Sequence, residues 1–373
     1  MKHIITFMKK ETILTIAWVL TLITAFIIPP SRDYISYIDW RSLGILWGLM
    51  LIMAGFKENG FFDWIGTCLL SKTKRVGQLS FVLVFLCFFC SMLITNDVAL
   101  ITFVPFAIFM LEKCGQHKLL IPVIVLQTIA ANLGSMLTPI GNPQCLYLYG
   151  ISDLSLSDFI LWMLPYTVLS GVLLLLCLLF MKGRKQTIQM KETLAGTETR
   201  KKKWLIYTIL FALAILVVAR ILPYYLMLAA VLIVMVFIDR KVIGSIDYAL
   251  LFTFIGFFLF TGNLSHIPSI NQALTRMVSG HEILTGILAS QCISNVPAAL
   301  LLSGFSDNIK ALLIGVNVGG LGTLIASMAS LISYKSFAHN YNSEKGRYFL
   351  FFTIANVGFL AVLCIFIRIM MRQ

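Results

Sequence analysis

Apolar runs recur along the whole chain, separated by short breaks that carry charge, Pro or Gly. Runs of about 17–25 residues, the length that crosses a bilayer, recur among them. Residues 12–30 and about 42–56 form the first two runs, and 61–71 read as a short amphipathic helix. Two shorter arms, about 78–94 and 98–111, flank the polar tip Thr95-Asn96-Asp97. The run 119–150 is interrupted near Asn132 to Pro143, because Gly134, Pro139, Gly141 and Pro143 cannot continue a regular helix. A span at 158–181 precedes the polar segment 182–203. Spans at about 204–222, 223–238 and 248–264 follow, then a connector at 268–280. Arms at 282–293 and 297–304 flank Ser294-Asn295-Val296, a second interrupted span covers 309–334, and a last span covers about 348–367. The pattern predicts an all-α polytopic membrane protein.

The second half repeats the first. Ile38-Asp39 leads into Gly48 as Ile246-Asp247 leads into Gly256, and the alignment runs without a gap over 19 positions. Asn132 to Ile140 align with Asn317 to Ile325, including Gly134 with Gly319 and Thr138 with Thr323. The two tips lie between these blocks in the same order. The expected fold is therefore two inverted repeats, each with a re-entrant hairpin and a broken helix, the architecture of secondary transporters. The expected division is an N-terminal span (1–37), a first repeat (38–181), a cytoplasmic linker (182–203), a second repeat (204–335) and a C-terminal span (336–373).

Charge supports an orientation and excludes a nucleic-acid role. The net charge is +13, but Lys and Arg cluster between spans, as in cytoplasmic loops. With the N-terminus inside and the C-terminus outside the cytoplasmic membrane, 22 Lys and Arg fall inside and seven outside. Segment 182–203 carries eight basic and two acidic residues and reads as an internal anchor. The antiparallel setting of Ile38-Asp39 and Ile246-Asp247 agrees with this charge-based topology. The stretch 12–28 lacks a small-x-small exit and reads as a retained span, not a cleaved signal. Eight scattered Cys offer no disulfide framework, and Cys87-Phe88-Phe89-Cys90 lies inside an apolar run and reads as packing.

Non-helical backbone at membrane depth must be buried in protein or line a cavity, because lipid satisfies no amide or carbonyl. Two tips and two broken spans thus imply a protected polar pocket near the midplane. The candidate substrate- and ion-binding residues are Thr95, Asn96, Asp97, Asn132, Thr138 and Asn142 in the first half. In the second they are Ser294, Asn295, Asn317, Thr323 and Ser327. Carbonyl, Asn and Thr oxygens suit Na⁺, with Asn96, Asp97 and Asn295 as a candidate Na⁺ site, and free amides at half-helix N-termini suit an anion. Single Ser and Thr residues also serve as glue between membrane helices. Asp97 is an intramembrane carboxylate suited to binding a cation or carrying a proton, and alternatively to capping the second arm.

These motifs resemble the ion transporter superfamily, which includes citrate and divalent-anion symporters, arsenite permeases and some Na⁺/H⁺ antiporters. Thr95 to Ile101 are similar to the Asn-Asp signature of the arsenite permease branch. Thr138-Pro139-Ile140-Gly141-Asn142-Pro143 resembles the broken-span motif of citrate-permease-like members. Ser294 to Pro297 and Asn317 to Ser330 resemble the second-repeat counterparts. The resemblance implies a homodimer in which a mobile domain moves substrate and cations past a static scaffold. Where dicarboxylate members carry Ser-Asn-Thr at both tips, this chain has Thr-Asn-Asp and Ser-Asn-Val. The expected function is secondary transport of a small anion, citrate-like or an oxyanion such as arsenite, coupled to Na⁺ or H⁺ and needing no other cofactor. The alternative is a Na⁺/H⁺ antiporter centred on Asp97. No HExxH, paired intramembrane Asp or nucleophile–base constellation points to an enzyme.

Overall fold

The structure, a computed structural model, describes residues 11–70, 73–181, 183–187 and 201–371. Of the expected linker, residues 182 and 188–200 lie outside the described residues, and 201–203 open a helix. The first half contains α1 (Thr12–Ala25), α2 (Tyr34–Tyr37), α3 (Trp40–Glu58), α4 (Phe61–Leu70) and α5 (Val76–Cys90). It continues with α6 (Asn96–Lys113), α7 (Leu120–Ser135), α8 (Pro143–Ile151) and α9 (Leu156–Leu179). The second half contains α10 (Lys201–Val218), α11 (Tyr224–Phe237), α12 (Tyr248–Ser265), α13 (Pro268–Val278) and α14 (Glu282–Ile293). It ends with α15 (Asn295–Ser303), α16 (Ile309–Val318), α17 (Met328–Asn340) and α18 (Lys345–Met370).

The expected helices are present, with shifted ends. The first span stops at Ala25, five residues before the expected end at Pro30, because Pro29 and Pro30 offer no amide to extend it. Both broken spans are broken: α7 and α8 are separated by 136–142, and α16 and α17 by 319–327. Four helical stretches among the described residues are long and apolar enough to cross a membrane: His117–Ser135, Leu156–Leu179, Tyr248–Ser265 and Asn342–Met370. The first is 83% buried and the last only 28%, so α7 is the central element and α18 a peripheral one. The protein is an integral membrane protein.

Corresponding elements in the two halves start alike. Asp39 caps α3 by accepting from the Ser42 amide at 3.0 Å, and Asp247 caps α12 by accepting from the Leu250 amide at 3.2 Å. Packing is also paired. In each half the arm before the tip lies on the first segment of the broken span, α5 on α7 and α14 on α16. The arm after the tip crosses to the other half, α6 onto α17 and α15 onto α8.

Close approach explains two glycines. A Cβ on Gly134 would sit 2.2 Å from the Phe88 carbonyl oxygen and 2.8 Å from Ser91 Oγ. A Cβ on Gly319 would sit 2.8 Å from Ile287 Cα and 2.9 Å from Ser290 Oγ. Both positions therefore admit only glycine at this helix spacing, and they are the pair that the sequence alignment matched.

Candidate functional site

The breaks place asparagines at the ends of α7 and α16 and at the start of α8. Asn132 lies on the last turn of α7 and is buried. Its Oδ1 accepts from Asn96 Nδ2 at 3.2 Å and from Ser327 Oγ at 2.9 Å, while its Nδ2 donates to Ser330 Oγ at 3.4 Å. Asn317 lies on the last turn of α16. Its Oδ1 accepts from Asn142 Nδ2 at 3.1 Å, Gln144 Nε2 at 3.3 Å and the Cys145 thiol at 3.3 Å, and its Nδ2 donates to the Leu313 carbonyl at 2.8 Å.

The exchange is reciprocal. Ser327, at the N-cap of α17, and Ser330 in its first turn correspond to Asn142, at the N-cap of α8, and Cys145 in its first turn, all at the spacing that relates Asn317 to Asn132. Each half thus supplies an asparagine that is held by the N-terminus of the other half's second segment. Asn142 joins the two hubs: its Oδ1 caps α8 by accepting from the Cys145 amide, and its Nδ2 also donates to Ser135 Oγ at 3.0 Å. Ser135 Oγ donates in turn to the Asn132 carbonyl at 3.0 Å. Asn96, Asn132, Asn142, Asn317 and Ser327 therefore form one buried network. Each such bond is worth about 1 kcal/mol net, and an orphaned partner costs about 1–3 kcal/mol.

Other expected residues sit around this network without joining it by direct side-chain bonds. Thr138 donates to the Met92 carbonyl, tying the first break to the turn before the first tip. Thr323 is exposed; its amide donates to Gln291 Oε1 at 2.9 Å and its hydroxyl to the Gln291 carbonyl at 3.1 Å. Thr95 is buried at the N-cap of α6. Asp97 is partly buried in the first turn of α6; its amide donates to Asn96 Oδ1 at 2.9 Å, and its own Oδ1 is buried without a hydrogen-bond partner.

The second tip differs from the first. Ser294, the only residue between α14 and α15, has φ 75° and ψ 153°, an uncommon conformation for a side chain-bearing residue. It is fully buried and its Oγ has no partner. The Asn295 amide donates to the Ala326 carbonyl at 2.9 Å, which joins the second tip to the second break. Gly320 leaves room for the Asn295 side chain, since a Cβ there would meet Asn295 Nδ2 at 2.9 Å.

Sequence reasoning missed Gln144, Cys145, Gln291, Ser135 and Ser330. Four of them were within its reach: Gln144 and Cys145 follow Asn142-Pro143 directly, Ser330 matches Cys145 in the repeat, and Ser135 lies in the aligned block. Gln291 had no such signal, yet it clamps the second break by donating to the Gly319 and Leu321 carbonyls at 2.8 and 2.9 Å. The set is rich in neutral oxygens and amides. Among the described residues no group of three or more His, Cys, Asp or Glu is placed to hold a metal ion.

A cleft of about 440 Å³ opens beside this core, between the starts of α1 and α12 and the outer face of α17. Asp247, Leu250, Thr253, Met328 and Lys335 are among the residues that line it, with Ile101 of α6 one turn beyond Asp97.

The sequence matches the citrate transporter family over residues 4–311, which include α1 to α15 and both tips. The chain belongs to the citrate transporter family. Similar proteins are themselves transporters or membrane proteins. An uncharacterised transporter of Methanocaldococcus jannaschii is 33% identical over 366 residues, 97% of this chain and 99% of that protein. An inner membrane protein of Escherichia coli is 32% identical over 323 residues, 83% of this chain and 84% of its own. A silicon efflux transporter of rice is 30% identical over 162 residues, 42% of this chain and 33% of that protein. Membership of the citrate transporter family agrees with the broken-span motif Thr138 to Pro143, where the resemblance to citrate-permease-like proteins was seen.

Proposed function

We propose that the protein is a secondary active transporter of a small anion, an organic acid such as citrate or an inorganic oxyanion such as arsenite, coupled to Na⁺ or H⁺. The observation that carries this reading is the reciprocal network in which Asn132 and Asn317 are each held by the opposite half. Two broken spans that meet through neutral oxygens and amides form a site suited to a small anion and a cation together. In this reading the repeats are inverted, the tips are re-entrant, and the α5–α9 and α14–α18 elements form a mobile body that moves in elevator fashion within a homodimer. The N-terminus is cytoplasmic, and the site residues are those named above, with Na⁺ bound near Asn96, Asp97 and Asn295. The rice relative adds silicon compounds to the substrates worth screening.

A second reading, a Na⁺/H⁺ antiporter centred on Asp97, is favoured by the unpartnered carboxylate oxygen there. Reconstitution in liposomes separates the two. Uptake of citrate, succinate, phosphate, arsenite or silicate that follows an imposed Na⁺ or pH gradient supports the first; cation-for-proton exchange without any anion supports the second. In either case Asn96→Ala and Asn295→Ala lower flux at least about tenfold while leaving protein in the membrane, because each removes a side-chain ligand from its tip and Asn96→Ala also leaves Asn132 Oδ1 and the Asp97 amide without that partner. Near-normal flux in both variants shows the tips to be structural. Asp97→Asn keeps the helix start and loses the dependence on the coupling ion; an unchanged Na⁺ and pH profile removes Asp97 from coupling.

A further inference from the structure

We propose a binding site for an anionic phospholipid where the C-terminal end of α9 meets the N-terminus of α5. The segment after α9 folds back along the start of α5. The Val76 amide donates to the Gln186 carbonyl at 3.0 Å and the Gly77 amide to the Arg184 carbonyl at 2.9 Å, and Arg75 pairs with Thr187 as an isolated antiparallel bridge. Two features allow this close return. Gly183 turns the chain at φ +81°, and a Cβ on Gly77 would already press on Arg184 at 3.0 Å.

The fold-back brings Arg75 beside Arg184 and Lys185, residues about 110 positions away in sequence, around a cavity of about 290 Å³. None of the three has a carboxylate partner among the described residues. The cavity walls are of opposite character. Phe81, Leu175 and Leu179 line it and are 40%, 37% and 46% exposed. Exposed apolar side chains on a 24-residue membrane helix face hydrocarbon, whereas its last turn leads into a strongly basic segment. A cationic rim above an apolar groove at the membrane surface matches one molecule in two parts: a phosphate-bearing headgroup on the cations and acyl chains on the groove. A soluble anion would use the rim alone, and a zwitterionic lipid would gain little from three cations.

The site is independent of what the protein transports, so its test needs no substrate. The full chain, purified in detergent, is exposed to equal amounts of phosphatidylglycerol and phosphatidylcholine, and bound lipid is counted by native mass spectrometry. Phosphatidylglycerol is expected to be retained at least about tenfold more than phosphatidylcholine, a preference that Arg75→Gln, Arg184→Gln and Lys185→Gln together reduce to near parity. Leu179→Gln is expected to weaken retention of both lipids. All four positions are at least partly exposed, and an unchanged thermal midpoint confirms that the variants fold. Equal binding of the two lipids by the wild type, or a preference that survives the triple substitution, overturns the proposal. Displacement of phosphatidylglycerol by millimolar inorganic phosphate overturns it too, since it marks a site for a free anion.

Discussion

The α3–α8 contact and the α12–α17 cleft occupy matching places in the two halves, and one is closed where the other is open. On the closed side α8 lies against α3 so tightly that a Cβ on Gly150 would be 2.6 Å from Ser42 Oγ and 3.7 Å from Asp39 Oδ2. At the repeat-equivalent positions the open side has Lys335 for Gly150, Leu250 for Ser42 and Asp247 for Asp39, and all three line the 440 Å³ cleft. Glycine and serine let two helix backbones approach, whereas lysine and leucine hold them apart with bulk and, for lysine, with a charge that needs water or a partner. The closed side also has a strap. Arg220, at φ 63° in the turn between α10 and α11, donates to the Tyr149 and Ser152 carbonyls at 2.8 and 2.5 Å and lies over the Tyr149 ring. It thereby satisfies the C-terminal carbonyls of α8, where a cation also suits the helix dipole. A few side chains thus close one of two sequence-matched helix contacts and leave the other open.

The largest expected effect comes from making the closed side like the open one. Gly150→Lys brings a Cβ to 2.6 Å from Ser42 Oγ and a long charged side chain to the contact, and is expected to push α8 away from α3 at a cost of about 1–3 kcal/mol for overpacking. Flux in liposomes is expected to fall at least about tenfold, and maleimide labelling of a cysteine at Ser42 to rise. Unchanged labelling would mean that Gly150 does not set the closed contact. The reverse change is gentler. Lys335→Ala removes the long side chain and the charge from the cleft, and labelling of a cysteine at Thr253 is expected to drop about two- to fivefold as α17 settles toward α12. If labelling is unaltered, the cleft is held open by something other than Lys335.

The smallest effect sharpens the comparison by leaving it alone. At the far end of α3, Asp239 receives hydrogen bonds from Asn59 Nδ2 and the Tyr207 hydroxyl, both at 3.0 Å, and pairs with Lys203 at 3.0 Å. Burial pushes its carboxyl upward, but the three donors outweigh it and hold the group below the usual carboxylate range. The stabilisation is therefore present above the pKa of the unfolded chain and is lost as pH falls through the lower native value. Asp239→Asn is expected to cost about 1–3 kcal/mol at neutral pH, read from thermal unfolding in detergent, with the gap to wild type closing below about pH 4. Labelling at Ser42 and Thr253 should not change. A gap that persists at low pH would assign the loss to packing and not to the carboxylate.

Much of this was legible in the chain. The helices follow from apolar length, and both breaks from local chemistry: Pro139, Gly141 and Pro143 in one, Gly319, Gly320 and Gly322 in the other. Five of the eleven expected site residues, Asn96, Asn132, Asn142, Asn317 and Ser327, are in one hydrogen-bonded network, because a polar side chain beside a buried break must find a partner. Thr138 and Thr323 were named for the same reason, but they fasten the breaks to Met92 and Gln291.

The sequence by itself determined an all-helical membrane protein, the order of its elements, the two tips and the two broken spans, since each depends on residues a few positions apart. Only the tertiary structure decided which asparagine meets which partner. Asn132 with Ser327, and Asn317 with Asn142, are joined across 195 and 175 residues. It also decided that Gly150 packs against Ser42 while Lys335 stands in a cleft. The physical reason is that local propensity and hydrophobic length choose each helix, whereas partner choice and the balance between open and closed depend on how closely two distant backbones approach.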